Sequence, residues 1–278
     1  MKKVIFEGSA VALITPMDSN GEVNYNALGE LIEFHIQNKT DAIVVCGTTG
    51  ESATLSAQEH HKIIEYTVNR VNKRIPVIAG TGSNDTRCAV QLSKDAQNLG
   101  VDGLLIVTPY YNKTSQKGLV EHYSYIASQV EAPIIVYSVP SRTGVKVCPE
   151  TYLELSKIPN IVAAKEASGD ISLVAKTVSL CGDGLNIYSG NDDQIVPVLS
   201  LGGIGVISVL ANVCPQESHS IVSEYLRGNT ALSRQIQLKF IELIEVLFSD
   251  VNPIPVKEAM NILGFACGRC RLPLAGMD

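Results

Sequence analysis

Eight short apolar runs punctuate the chain, and between them the apolar positions change period. The runs lie at 10–14 (AVALI), 42–45 (AIVV), 76–79 (PVIA), 103–107 (GLLIV), 133–136 (PIIV), 161–164 (IVAA), 185–188 (LNIY) and 205–209 (GVISV). Most are continuous rather than alternating, the pattern of parallel strands covered on both faces. The segments between them repeat at helical spacing: Leu28, Leu31, Ile32 and Ile36 share one face, and Leu119, Tyr123, Ile126 and Val130 share another. Eight strand-then-helix units in 278 residues predict an α/β fold, a (β/α)8 TIM barrel. A doubly wound sheet would carry a Gly-rich dinucleotide loop after its first strand, where Thr15-Pro16-Met17 stands instead.

The barrel is expected over 1–214. From Pro215 onward the pattern is helical only, strongly apolar at 236–248, and broken at Asn252-Pro253-Ile254-Pro255 before a helix from near Val256. The stretch 215–278 therefore reads as a helical C-terminal extension packed on the barrel.

Composition narrows the function classes. A net charge of -6 and the lack of any basic run argue against nucleic acid. No window approaches ~18 continuous apolar residues, and Met1-Lys2-Lys3 leads into no apolar leader, so a cytoplasmic protein without membrane segments is expected. Seven scattered cysteines suit free thiols in a reducing compartment. Cys267-Gly268-Arg269-Cys270 has neither the strand–helix context of a redox motif nor the second pair of a zinc ribbon, and is read as two incidental thiols.

Barrel enzymes work at the C-terminal ends of their strands, so those ends carry the candidate chemistry. They read CGTTGES at 46–52, GTGSND at 80–85, TPYYNK at 108–113, YSVPSRTG at 137–144, Lys165-Glu166, SGND at 189–192, and Ser208 with Asn212. The set is rich in hydroxyls and glycine and holds no histidine. His35, His60, His61, His122 and His219 all fall in helical stretches, as solvated or partly packed side chains, so no metal centre is expected.

Lys165 is the outlier, a charge directly following four apolar residues. It could pair with Glu166 or snorkel to water. It could equally be a nucleophilic amine. A free lysine, with pKa ~10.4, has only about one molecule in a thousand deprotonated at neutral pH, and burial lowers that barrier to attack on a carbonyl. Thr48, Thr49, Tyr111 and Tyr137 could relay protons. The amides of Gly47-Thr48-Thr49-Gly50, read as opening a helix, could hold one carboxylate, and the planar fork of Arg142 a second. Against this, the Gly-Thr turns could simply shape loops, the tyrosines cap the barrel, and Arg142 pair with a surface acid. Taken together, a lysine, a proton path and two anion sites suit an aldolase for keto acids. A sugar-acid lyase needing no Arg142 and a phosphate-binding barrel built on Gly202-Gly203 and Gly205 are the rival readings.

The motifs GTTGES, PVIAGTGSN, TPYYNK, VPSRTG, KEASG, GGIGVISV and NPIPVK run from about residue 8 to 274. In them the chain resembles the dihydrodipicolinate synthase branch of the pyruvate-dependent class I aldolases, a family that includes N-acetylneuraminate lyase; Arg142 separates the two branches. The resemblance implies a Schiff-base-forming carbon–oxygen lyase of lysine biosynthesis by the diaminopimelate route, condensing pyruvate with L-aspartate 4-semialdehyde. Lys165 would form the imine, with Tyr137, Thr48 and Tyr111 as proton relay and Tyr111 reaching an adjacent subunit. Thr49 would bind the pyruvate carboxylate and Arg142 that of the semialdehyde, while the carbonyls of Gly190 and Ile207 contact lysine or substrate. No metal or organic cofactor is implied, and the partner is a second copy of the chain, as dimer or tetramer. Where lysine feedback operates, its site matches Ser52, Ala53, His60, Asn84 and Tyr110. Cys88 replaces an acidic contact there, so weak or absent inhibition is expected. Ser138 stands where the family commonly has asparagine, and the chain stops short of a further helix usual in the family.

Overall fold

The computed structural model describes residues 2–277. Eight strands close into a parallel barrel in sequence order: β1 Gly8–Ala12, β2 Ala42–Val45, β3 Val77–Gly80, β4 Gly103–Val107, β5 Ile134–Ser138, β6 Ile161–Glu166, β7 Asn186–Ser189 and β8 Gly205–Ser208. The helices are α1 Tyr25–Gln37, α2 Ala57–Val71, α3 Thr86–Asn98, α4 Gln116–Ala127, α5 Pro140–Thr143, α6 Pro149–Ser156, α7 Ile171–Cys181, α8 Ile195–Ser200, α9 Pro215–Leu226, α10 Thr230–Lys239, α11 Ile241–Leu247 and α12 Ile254–Ile262. The (β/α)8 expectation holds. The first helix of the expected extension, α9, packs on β1 and buries Ile221 and Val222 with Ile195, Leu199 and Val206, the place of an eighth barrel helix.

The continuous apolar runs are explained by two cores. Alternate strand residues, among them Ala10, Ala12, Val44, Leu105, Ile135, Ala163 and Ile207, fill the barrel interior. Their neighbours Val11, Ile43, Val45, Leu104, Ile106, Val136 and Ala164 face the helices. The Phe6 and Tyr188 rings stack at 4.4 Å within the interior, and Tyr188 Oη donates to Phe6 O at 2.7 Å. Gly80, at the end of β3, lies so close to the Cys46 carbonyl that any Cβ would strike it.

Most strand ends differ from the sequence reading by one or two residues, and two boundaries have a clear physical reason. The run at 10–14 outlasts β1, because Leu13 and Ile14 are buried beyond the last pairing residue, held by Leu13 N to Val44 O at 2.9 Å and Ile14 N to Asn212 Oδ1 at 3.2 Å. The helix expected near Val256 begins at Ile254, since Pro255 falls in its first turn, where no amide proton is needed.

Beyond α12 the chain is a strap rather than helix, lying over the β1 and β2 loops. Met17 N donates to Cys267 O at 2.9 Å, and Asn261 Oδ1 accepts from Cys267 N and Gly268 N at 3.0 and 3.1 Å. Arg271 donates to Gly21 O and Thr54 O at 2.8 and 2.9 Å and forks onto Glu59, holding that carboxyl down at about 2. At the hub is a fully buried pair: Lys257 Nζ sits 2.6 Å from Glu51 Oε1, and Glu51 Oε2 accepts from Arg271 N at 2.8 Å. Glu51 has φ 57, a left-handed conformation uncommon for a side chain of this kind.

Removing one partner of such a pair strands a buried charge. K257M is expected to lose about 3–5 kcal/mol, whereas E51Q/K257M, with both charges removed, loses distinctly less. Denaturant unfolding of the two variants checks this ordering.

Candidate active site

The two-residue period of β6 sets the direction of the odd lysine. Ala163 faces the barrel interior, so Lys165 does as well, while Ala164 and Glu166 face the helices. The strand runs two residues past its predicted end, because Lys165 pairs in register with Tyr137 and Tyr188, and Glu166 with Ser138 and Ser189. Lys165 is only 5% exposed, and its Nζ lies 4.3 Å from the centroid of the Tyr137 ring. The geometry is that of a cation held over an aromatic face.

Glu166 is not the lysine's partner. Its Oε2 accepts from Tyr152 Oη on α6 at 2.6 Å and its Oε1 from Ser168 N at 2.8 Å. Burial raises its pKa, against the opposing pull of these hydrogen bonds. The side chain locks the end of β6 from outside and leaves Lys165 to the interior.

The glycine-threonine loop after β2 does not open a helix, contrary to the sequence reading. It passes into a single 3-10 turn at Ser52–Thr54, and α2 starts later under its own cap, with Ser56 and Glu59 forming a capping box. A helix dipole therefore does not act at Thr48 or Thr49. Thr49 is buried and its Oγ1 accepts from Asn252 Nδ2 at 3.0 Å. Arg142, on α5, makes no salt bridge with an acid among the described residues; its Nη2 donates to Asn252 O at 2.9 Å.

A cavity of about 510 Å³ joins several of these groups, lined among others by Thr48, Glu51, Val139, Arg142, Thr143 and Asn252. Lys165 and Tyr137 are not among its walls. Val139, packed with Tyr137 in the barrel interior, links the two regions. Gly190 directly follows β7, with its amide on Glu166 O at 2.7 Å, and Ile207 is buried in β8 inside the barrel. Tyr111 is the exception: it has φ 67 and is 92% exposed, so this chain does not bring it to its own lysine.

Of the feedback set, Ser52, Ala53, His60 and Tyr110 line the same cavity together with Cys88. Asn84 does not; its carbonyl accepts from Asn112 Nδ2 at 3.0 Å. His60 bonds Gly80 O through Nε2 at 2.8 Å, and burial lowers its pKa, so it is the neutral tautomer with Nε2 protonated. His35, His60 and His122 are more deeply buried than the sequence reading expected; His35 is held near 3 by desolvation.

Two residues went unassigned in the sequence although both stood in quoted motifs. Asn252, from NPIPVK, bridges Thr49 and Arg142. Asp192, from SGND, is buried, and its Oδ2 accepts from Val209 N and Leu210 N at 3.0 and 2.9 Å. Burial raises its pKa, partly offset by those bonds and by the charge of Lys165. The Cys267 and Cys270 thiols are pushed up by burial to about 12 and about 11, which makes them poor nucleophiles. Among the described residues no group of three potential ligands could hold a metal ion, and no helix is long and apolar enough to cross a membrane.

Sequence and fold comparisons agree over nearly the whole chain. A model of the dihydrodipicolinate synthetase family matches residues 5–278. The 4-hydroxy-tetrahydrodipicolinate synthase of Caldicellulosiruptor saccharolyticus is 60% identical across 98% of this chain and 92% of its own length. That of Clostridium perfringens strain SM101 is 56% identical across 99% and 94%. The solved dihydrodipicolinate synthase of Aquifex aeolicus superposes with TM-score 0.96 at 47% identity, covering 98% of this chain and 93% of that one. The pyruvate complex of the Acinetobacter baumannii enzyme gives 0.97 at 42% identity, covering 99% and 94%.

The raised Glu166 carboxyl has a signed consequence. The folded state binds its proton more tightly than the unfolded chain does. Its contribution is therefore fully present below the ordinary value of 4.5 and is lost as pH rises through the higher folded value. E166Q removes this titration, so the stability of the wild type relative to E166Q is expected to fall with rising pH across that window. Chemical unfolding of both proteins at a series of pH values reads the slope.

Proposed function

The chain belongs to the dihydrodipicolinate synthetase family, and from that premise we propose how its site works as a 4-hydroxy-tetrahydrodipicolinate synthase, with pyruvate and L-aspartate 4-semialdehyde as substrates. The observation that carries the reading is the inward, buried Lys165 against the Tyr137 ring, with Glu166 bound elsewhere.

In this reading the Lys165 amine adds to the pyruvate ketone. Proton transfer to the carbinolamine oxygen expels water and leaves an iminium. Loss of a C3 proton gives the enamine, whose carbon attacks the aldehyde of the semialdehyde; the new alkoxide takes a proton. The semialdehyde's own amine then adds to the imine carbon, closes the ring and displaces the lysine. The Tyr137 ring face stabilises the iminium charge where it forms, and its hydroxyl, with Thr48, moves the protons. The Thr49 amide takes the pyruvate carboxylate, Arg142 that of the semialdehyde, and the carbonyls of Gly190 and Ile207 face the lysine and substrate. Tyr111, exposed in one chain, completes the relay in a neighbouring copy, which makes the working form a homo-oligomer, dimer or tetramer, in the cytoplasm. One solved relative, 41% identical, is described as a monomeric variant.

Borohydride reduction in the presence of pyruvate is expected to place a pyruvate-derived adduct on Lys165, read by peptide mass mapping. An adduct elsewhere, or none, overturns the assignment. Y137F keeps the ring face and loses the hydroxyl: it is expected still to trap pyruvate while kcat falls by about 10²–10⁴.

Feedback by lysine is proposed to be weak. A solved relative from Cyanidioschyzon merolae holds bound lysine. In this chain the cavity lined by Ser52, Ala53, His60 and Tyr110 offers a cationic ligand a neutral histidine and Cys88, and its one carboxylate, Glu51, is already paired with Lys257. Inhibition curves are expected to stay flat at physiological lysine concentrations for the wild type and to steepen in C88E.

A further inference from the structure

Asn252 lies outside the barrel strands and their loops, yet it bonds both residues proposed to hold carboxylates, Thr49 through its hydroxyl and Arg142 through its guanidinium. Its Nδ2 donates to Thr49 Oγ1 at 3.0 Å, and its backbone carbonyl accepts from Arg142 Nη2 at 2.9 Å. Thr49 follows β2 and Arg142 follows β5, so the asparagine ties two loops from different sides of the barrel. It is buried, it lines the cavity that Thr48 and Arg142 share, and its Oδ1 has no partner among the described residues.

Its place is fixed a second time from behind. Asn252 leads into α12, and five residues on, Lys257 is bonded at 2.6 Å to Glu51, two residues beyond Thr49. The β2 loop and the start of α12 are thus joined at two points, one neutral and one charged. A single tether would leave the loop free to pivot; two remove that freedom.

A neutral amide is also the informative choice at this position. An aspartate would fit the same space and accept a hydrogen bond from the Thr49 hydroxyl just as well. It would, however, set a negative charge against Arg142, where an anion is to bind. The amide keeps the bridge and leaves the guanidinium charge for a ligand.

Resting on the condensation reading above, we propose that Asn252 is a positioning residue that sets the spacing of the two carboxylate sites, so that the C-terminal extension helps determine the affinity for both substrates. It acts through Thr49 and Arg142 and takes no part in proton transfer at Lys165.

The test uses the full chain with N252A and N252D, the latter isosteric with the native side chain so that the fold stays testable if the truncation does not fold. N252A removes the side-chain bond to Thr49 and leaves the backbone carbonyl on Arg142, so the expected KM rises are about tenfold for pyruvate, the scale of one lost hydrogen bond, and smaller for the semialdehyde through the loosened spacing, with kcat within about threefold. N252D is expected to raise both KM values further. Both variants still trap pyruvate on Lys165 at saturating concentration. Wild-type KM values in N252D, a rise for one substrate alone, or a lowered thermal midpoint with both KM values unchanged overturns the proposal. Failure of the wild type itself to trap pyruvate at Lys165 would instead overturn the condensation reading, whatever the variants do.

Discussion

The alternation of side chains along β6 is the constraint on which the site depends. A strand offers each residue one of two sides, and the choice for Lys165 is made jointly with that for Glu166. The glutamate goes outward because Tyr152 and the Ser168 amide meet it there at hydrogen-bonding distance. A register slip of one residue would send the ammonium into the helix layer and the carboxylate into the barrel. The pair therefore works as a lock, each polar group holding the other on the correct face. The aromatic ring beside the lysine offsets an otherwise unfavourable burial of charge and, on the proposed reading, provides the environment in which the iminium forms.

Charge is distributed with a consistent logic around this centre. Carboxylates near the cavity are already engaged: Glu51 by Lys257, Glu59 by Arg271, Glu166 by Tyr152, Asp192 by two backbone amides. The cations of the site, Lys165 and Arg142, are left without acidic partners among the described residues. Such a surface attracts anions and offers little to a cation. On the proposed reading, the same arrangement suits keto acid and amino acid carboxylates and gives a dibasic effector poor purchase.

Much of this was legible in the sequence, and for physical reasons. Parallel strands buried on both faces leave continuous apolar runs, so the barrel could be counted off, and Lys165 stood out because an ammonium rarely follows such a run. What escaped was long-range. Nothing local tells that Leu13 and Ile14 lie beyond β1, bonded to Val44 and Asn212, or that the amides at 47–50 lead into an isolated turn while Ser56 caps the helix instead. Asn252 was visible only as a helix breaker, because its importance lies in contacts with residues 49 and 142, far away along the chain. Tyr111 was expected to serve a neighbouring copy, and its exposure in a single chain accords with that expectation without testing it.

The pairing of Glu51 with Lys257 spans 206 positions of sequence. Synthesis runs from the N-terminus, so β2 and its loop leave the ribosome long before the lysine that fixes them is made. Until then Glu51 can remain hydrated, and only local bonds, Glu51 N to Thr48 O and Thr54 N to Glu51 O, are available to shape its left-handed turn. The loop after β2 is thus encoded among the first parts of the barrel face, and the cation it pairs with among the last. The eight strands are complete in the sequence by residue 208, while the two ties between the β2 loop and the start of α12 draw on residues 252 and 257.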